Sequence, residues 1–267
     1  MTAAPGRVEW APDVVAAKAA QQAELRAYGQ LVKLLGRPVQ QPARAPGNTS
    51  AILVPGFISG DVSLTVLARG LRRSGHRTFR SEIGANLGCT DDMVERLLRR
   101  VEGVVEAEDR RIALVGHSRG GMVVKLAAAR RPDLVAGIVV LSGPVTGTLG
   151  VAPHVRRQLE GLFRLHDRGG RFASVISAAC VTGECAARTV AELLAPWPAD
   201  VDYTSVYSTS DAIIDWHTCL DPAAELIEVR SSHTGMGTDP AVRRIVADRL
   251  KRIATTARPK AGGAAVS

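Results

Sequence analysis

The segment Gly116-His117-Ser118-Arg119-Gly120-Gly121 constrains this chain more than any other. It follows the apolar run Ile112-Ala113-Leu114-Val115 and leads into a helical stretch over 121–131, which Pro132 stops. Strand, sharp turn and helix are thus joined by a few residues, and the turn reads G-x-S-x-G. A serine at such a tip takes strained backbone angles, so its neighbours two positions to either side must be small. Gly116 and Gly120 meet that need. The turn lifts the hydroxyl to the C-terminal edge of a sheet, at the positive end of the following helix.

The rest of the chain repeats the strand–helix rhythm. Residues 12–35 read as a helix, with Asp13 as cap and Val14, Leu25, Leu31, Leu34 and Leu35 at rough helical spacing. Pro38, Pro42, Pro46 and Gly47 make a linker, and Ala51-Ile52-Leu53-Val54 is a buried strand ended by Pro55-Gly56. A helical stripe follows (Leu64, Leu67, Ala68, Leu71), then a short strand near Arg77–Arg80 and a helix from Asp91 or Asp92 through Val105. Further strands are expected over 135–141, 203–207 and 226–229. The last helix runs over 240–253, with Pro240 in its first turn behind Thr238 or Asp239 as cap. About six strands alternating with helices predict an α/β fold with a mostly parallel sheet.

Residues 143–200 interrupt this rhythm. They hold one amphipathic helix (Val151, Val155, Leu159, Leu162, Phe163), a second helical stretch near 190–194 and no clear strand. An insertion of that length is usually functional, and it reads as a helical cap. The expected organisation is an N-terminal helix and Pro-rich linker (1–47), a core (48–142 and 201–257), the cap (143–200) and a flexible tail (258–267).

A serine hydroxyl is a poor nucleophile until a base takes its proton. For Ser118 that base is His233, in a loop just past the last predicted strand. Alone, His233 would read as an ordinary loop histidine; its position favours catalysis. The orienting carboxylate is Asp211, directly after the 203–207 strand, in preference to Asp215, which lies farther from the strand end. The chain order Ser118, Asp211, His233 is that of one triad class. An oxyanion hole needs two donors. The Arg119 N–H follows the nucleophile, and the Phe57 N–H follows Gly56, which permits close backbone approach. The Arg119 side chain reads as exposed, and His117 as a packing residue.

The motifs Val54-Pro55-Gly56-Phe57, Gly116 to Gly121, Tyr207 to Asp211 and Ser232-His233-Thr234-Gly235-Met236 resemble those of the α/β-hydrolases, and among them actinobacterial lipase-like serine hydrolases. The resemblance spans about residues 50–255. It implies an α/β-hydrolase fold, Ser118 as nucleophile, His233 as base, Asp211 as orienting acid, and a cap where 143–200 stands. It departs from many lipases in carrying Pro55-Gly56 where they carry His-Gly, which leaves the substrate class open. The expected reaction is cleavage of a small-molecule or lipid carboxylic ester through an acyl-enzyme. The same acyl-enzyme would serve an acyltransferase, thioesterase or cyclase, and a non-catalytic scaffold is the third reading. Leu159, Leu162 and Phe163 are candidates for an acyl pocket.

Composition removes other classes. The net charge is +8, but its arginines fall in scattered pairs such as Arg72-Arg73 and Arg130-Arg131, with aromatics at only 4%. That reads as solvated helix faces rather than a nucleic-acid surface, and leaves room for weak peripheral contact with anionic membranes. No run of 18 charge-free apolar residues and no secretory leader is visible, so a cytoplasmic protein without a transmembrane segment is expected. No cofactor and no metal is expected, because Cys180 and Cys185 lack a second paired knuckle. For Cys89, Cys180, Cys185 and Cys219 two states stay open: a local Cys180–Cys185 bond, or four thiols.

Overall fold

The computed structural model describes residues 9–10, 18–34, 40–45 and 47–256. Asp13, Val14, Leu35 and the tail over 258–267 lie outside them. The strands are β1 (Glu9–Trp10), β2 (Ser50–Val54), β3 (Arg77–Arg80), β4 (Ile112–His117), β5 (Val135–Leu141), β6 (Thr148–Leu149), β7 (Asp202–Tyr207) and β8 (Glu225–Glu228). The helices are α1 (Lys18–Leu34), α2 (Thr65–Arg73), α3 (Thr90–Glu108), α4 (Arg119–Arg130), α5 (Pro153–Asp167), α6 (Ala179–Thr182), α7 (Glu184–Leu193) and α8 (Pro240–Thr256). Six strands form one parallel sheet in the order β3-β2-β4-β5-β7-β8.

Successive residues of the central strands serve opposite cores, as the two-residue period requires. Ile52, Val54, Ile112 and Leu114 join α3 and α4 on one face, with Val94, Leu97, Val101 and Leu126. Ala51, Leu53, Ala113 and Val115 join α2 and α8 on the other, with Leu67, Leu71, Val246 and Leu250. Covered on both faces, these strands read as unbroken apolar runs. Asp239 accepts a hydrogen bond from the Ala241 N–H (2.7 Å) at the start of α8.

The chain leaves β2 toward one edge of the sheet and, from β4 onward, grows toward the other. The crevice beyond the C-terminal ends of β2 and β4 is therefore the topological switch point, where ligands bind in open α/β sheets. The insertion between β5 and β7 lies over this edge and carries α5, α6 and α7. It also contains β6, where no strand was expected: β6 pairs in parallel with β1 through two residues on each side. Two residues carry no readable period.

A buried ion pair fastens the insertion to the core. The Lys125 ammonium of α4 donates to the Val145 carbonyl (3.0 Å) and the Leu193 carbonyl (2.6 Å), and also to the Asp221 carboxylate. Tyr203 adds a bond to Asp221 (3.2 Å). One cation thus holds both ends of the insertion.

Candidate active site

Ser118 stands between β4 and α4 with φ 55° and ψ −128°, a left-handed conformation rare for a residue with a Cβ. Packing enforces it. A Cβ on Gly116 would sit 2.3 Å from the Gly120 carbonyl oxygen, and one on Gly120 would sit 2.3 Å from that of Val54. The Ser118 N–H bonds to the Leu141 carbonyl (2.8 Å), which ties the tip to β5. Gly56 approaches so closely that its Cβ would meet Ser118 Cβ at 3.0 Å. The loop carrying Phe57 therefore lies against the serine. Arg119 opens α4, so its N–H has no acceptor within the helix.

His233 and Asp211 are in contact, both buried, with His233 Nδ1 donating to Asp211 Oδ2 at 2.7 Å. Asp211 Oδ1 accepts from the Ile213 and Ile214 N–H groups (2.8 and 2.9 Å), which fixes the carboxylate plane. With Nδ1 donating, Nε2 is the nitrogen left to take a proton. Ser118 and His233 line one cavity of about 770 Å³ together with Gly56, Phe57 and Arg119. Asp215 instead caps the turn at Trp216–Cys219, bonded to His217.

Burial alone would push the His233 imidazole toward its neutral form. The Asp211 charge and hydrogen bond outweigh burial, with Glu24 adding to them, so the His233 pKa is raised above the ordinary imidazole value. Asp211 responds in the opposite sense. Burial raises its pKa, but the His233 charge and the donors around it win, and the net shift is downward. His117 packs its ring on His233 at 4.8 Å and is held neutral, its pKa lowered to about 3 by burial and then by the His233 charge.

The Arg119 side chain corrects the sequence expectation. It is buried, not exposed. Its guanidinium donates to the Asn86 carbonyl and side-chain oxygens (2.9 and 2.8 Å), to the Gly88 carbonyl (2.7 Å) and to Thr90 Oγ1 (3.2 Å). Asn86 in turn donates to the Pro55 carbonyl (2.9 Å). Arg119 thus braces the loop that carries Phe57 against the serine turn. The carbonyls that receive it belong to an irregular loop with no sequence signature.

Glu24 is a second residue that the sequence did not single out. Its carboxylate accepts from the His233 N–H (2.6 Å) and the Thr234 N–H (2.8 Å). The face of α1 turned to the body is therefore that of Glu24 and Ala27, whereas Leu25, expected on the apolar stripe, is 72% exposed. Leu25 borders the mouth of the cavity instead. Of the three pocket candidates, Leu159 lines the cavity, with Val155 and Ile176 beside it. Leu162 and Phe163 are not among the lining; they pack behind it on the Leu159–Ile176–Val181 cluster.

These features coincide with family membership. The model of the alpha/beta hydrolase family matches residues 28–263, and the chain belongs to that family. A triacylglycerol lipase of Vibrio cholerae serotype O1 is 31% identical over 91 residues, covering 34% of this chain and 28% of that protein. The chain thus spans under a third of the length of that curated relative. Among solved structures, the mature lipase BlEst2 of Bacillus licheniformis covers 80% of this chain and 96% of its own, with a TM-score of 0.59 at 14% identity. The naproxen esterase (carboxylesterase NP) of Bacillus subtilis covers 88% and 98%, with a TM-score of 0.53 at 15% identity. Tomato methylketone synthase I, complexed with 2-tridecanone, covers 78% and 98%, with a TM-score of 0.51 at 16% identity. At these identities the likeness is one of fold, and the narrower actinobacterial resemblance rests on the motifs alone. Among the described residues no helix is long and apolar enough to cross a membrane.

Proposed function

We propose that this protein is a serine hydrolase that cleaves carboxylic esters through Ser118, His233 and Asp211. The observation that carries the reading is the buried 2.7 Å His233–Asp211 contact in the same cavity as the strained serine. His233 Nε2 takes the Ser118 proton as Oγ attacks the acyl carbonyl, and Asp211 steadies the imidazolium through Nδ1. The Phe57 and Arg119 N–H groups receive the oxyanion. The tetrahedral intermediate collapses, His233 returns the proton to the departing alcohol, and an acyl-enzyme remains. Water, deprotonated by the same imidazole, then attacks the acyl group, the Ser118 oxygen leaves as the hydroxyl, and the acid is released.

The cavity favours an apolar acyl group. Its size falls within the range of small-molecule pockets, and Phe57, Leu149, Val151, Val155, Leu159 and Ile176 contribute to its wall. The test is intact mass after exposure to a fluorophosphonate, beside Ser118→Ala. One adduct on the wild type and none on the variant is the expected result. An unlabelled wild type that is folded, with its site open to solvent, would sink the reading. Product analysis with water alone and with an added alcohol or amine separates hydrolysis from acyl transfer.

A further inference from the structure

Three cysteines from three separate helical segments, one in the core and two in the insertion, converge beside the cavity. Cys89 belongs to the core and stands at the N-terminal cap of α3. Cys180 and Cys185 belong to α6 and α7 of the insertion. Their three sulfurs lie within 4.8 Å of one another. Cys89 Sγ is 3.1 Å from Cys185 Sγ across 96 residues of chain. All three are half-buried thiols, whereas Cys219 is buried elsewhere. Cys180 also lines the cavity.

The surroundings favour sulfur chemistry. The buried Arg119 guanidinium adds positive charge beside the cluster, and the Ser177 hydroxyl lies 3.4 Å from Cys180 Sγ. The Cys180 pKa is pushed down to about 5, chiefly by the S–H bond from Cys89, with help from Ser177 and Arg119. A thiolate is the nucleophile of thiol–disulfide exchange. A metal suits the arrangement less well. Two thiolates on one tetrahedral zinc sit roughly 3.8 Å apart, given a Zn–S bond of about 2.3 Å. The Cys89–Cys185 separation is shorter, and the group offers three ligands where a structural zinc takes four.

We propose that Cys89, Cys180 and Cys185 form a thiol–disulfide site in which Cys89 bonds reversibly to a cap cysteine, ties the cap to the core and slows entry to the cavity. The oxidant is a low-molecular-weight disulfide. The Cys180 thiolate attacks one of its sulfurs, forming a mixed disulfide and expelling one thiolate. Cys89 gives up its proton and attacks Cys180 Sγ, which expels the second small thiolate and leaves a Cys89–Cys180 bond. The Cys185 thiolate then attacks Cys89 Sγ and releases Cys180, giving Cys89–Cys185. In sum two protein thiols become one disulfide, and one small disulfide becomes two small thiols. A dithiol reverses the process. Control over entry rests on the hydrolase reading; the sulfur chemistry does not.

The full-length protein is treated with oxidised glutathione, alkylated and digested with trypsin and then a glutamyl endopeptidase, which cuts at Glu184 between Cys180 and Cys185. The expected product is a species two hydrogens lighter, with the Cys89 peptide linked to the Cys185 or Cys180 peptide and restored by dithiothreitol. Cys89→Ser should give no such link. A Cys180–Cys185 bond, a persistent glutathione adduct, or no disulfide at all would overturn the proposal. So would one equivalent of zinc that survives dialysis in the wild type and is lost in Cys89→Ser. Fluorophosphonate labelling of Ser118 should run severalfold slower in the oxidised protein, and equal rates overturn the control over entry. Absence of labelling in both states, with the Cys89 link present, would count against the hydrolase reading alone.

Discussion

The His233 pKa is raised in the folded protein. In the mechanism we propose, His233 is the base and must be neutral to accept the Ser118 proton. Activity is therefore lost as pH falls through a value above the ordinary ~6.5. The fold responds in the opposite direction. A raised pKa adds stability that is full below ~6.5 and disappears as pH rises through the folded value. In Asp211→Asn the acid limb of kcat/KM should move down and kcat should fall by about 10⁴-fold. Glu24→Gln should move the limb down by less, with a smaller loss of kcat; an unmoved limb would make Glu24 a purely mechanical prop. Gly120→Ala places a methyl against the Val54 and Pro55 carbonyls, and should cost about 2 kcal/mol or more in chemical denaturation. Ser118, His233 and Asp211 were legible because each follows a strand end that the apolar pattern marks. Glu24 and Asn86 were not, because their partners are backbone groups of irregular loops, brought close only by tertiary folding.

At the level of elements, the central strands β2, β4 and β5 could be read because each is an almost wholly buried apolar run, whereas the edge strands β3 and β8, partly or mostly exposed, were read from their place in the strand–helix alternation. Carboxylates partner several of the arginines: Arg131 bonds Asp133 and Glu102 (both 2.7 Å), and Arg252 bonds Asp202 (2.7 Å). Arg130 has a larger task, since it joins Asp91 of α3 to Glu192 of α7 (2.6 and 2.7 Å) and so clasps the insertion to the core. Lys125 does this from inside. Lys125→Met would leave the Asp221 carboxylate buried without its cation, at a cost of about 3 kcal/mol or more. A Lys125→Met/Asp221→Leu double variant should recover most of that loss in the same denaturation assay. Equal losses in the two would mean that packing, not charge, fastens the insertion. Lysine and aspartate are 96 residues apart, and nothing in either segment announces the pair.

For the whole molecule, the proposed hydrolase would draw its substrate range from how the insertion covers the crevice at the switch point. Leu159 of α5 sits in that roof. Leu159→Trp would shorten the space for an acyl chain. Its kcat/KM on octanoate esters should fall by about tenfold or more, while acetate esters change little. Equal effects on both would place the acyl group elsewhere. The position of the roof was legible as a break in the strand–helix rhythm. Its longest helix, α5, was legible from the spacing of Val155, Leu159, Leu162 and Phe163, and the stretch near 190–194 overlaps the end of α7; α6 and the two-residue β6 were not, because four and two residues leave no periodic trace.

The turn at Ser118 has a consequence for evolution of the whole chain. A φ of 55° suits glycine, so the fold would be more comfortable without the very side chain that we propose as the nucleophile. Ser118→Gly should melt above the wild type, by an amount worth about 1 kcal/mol, and do nothing to an ester. Selection for durability and selection for turnover therefore pull this one codon in opposite directions. A lineage freed from the need for catalysis would be expected to drift toward the quieter residue.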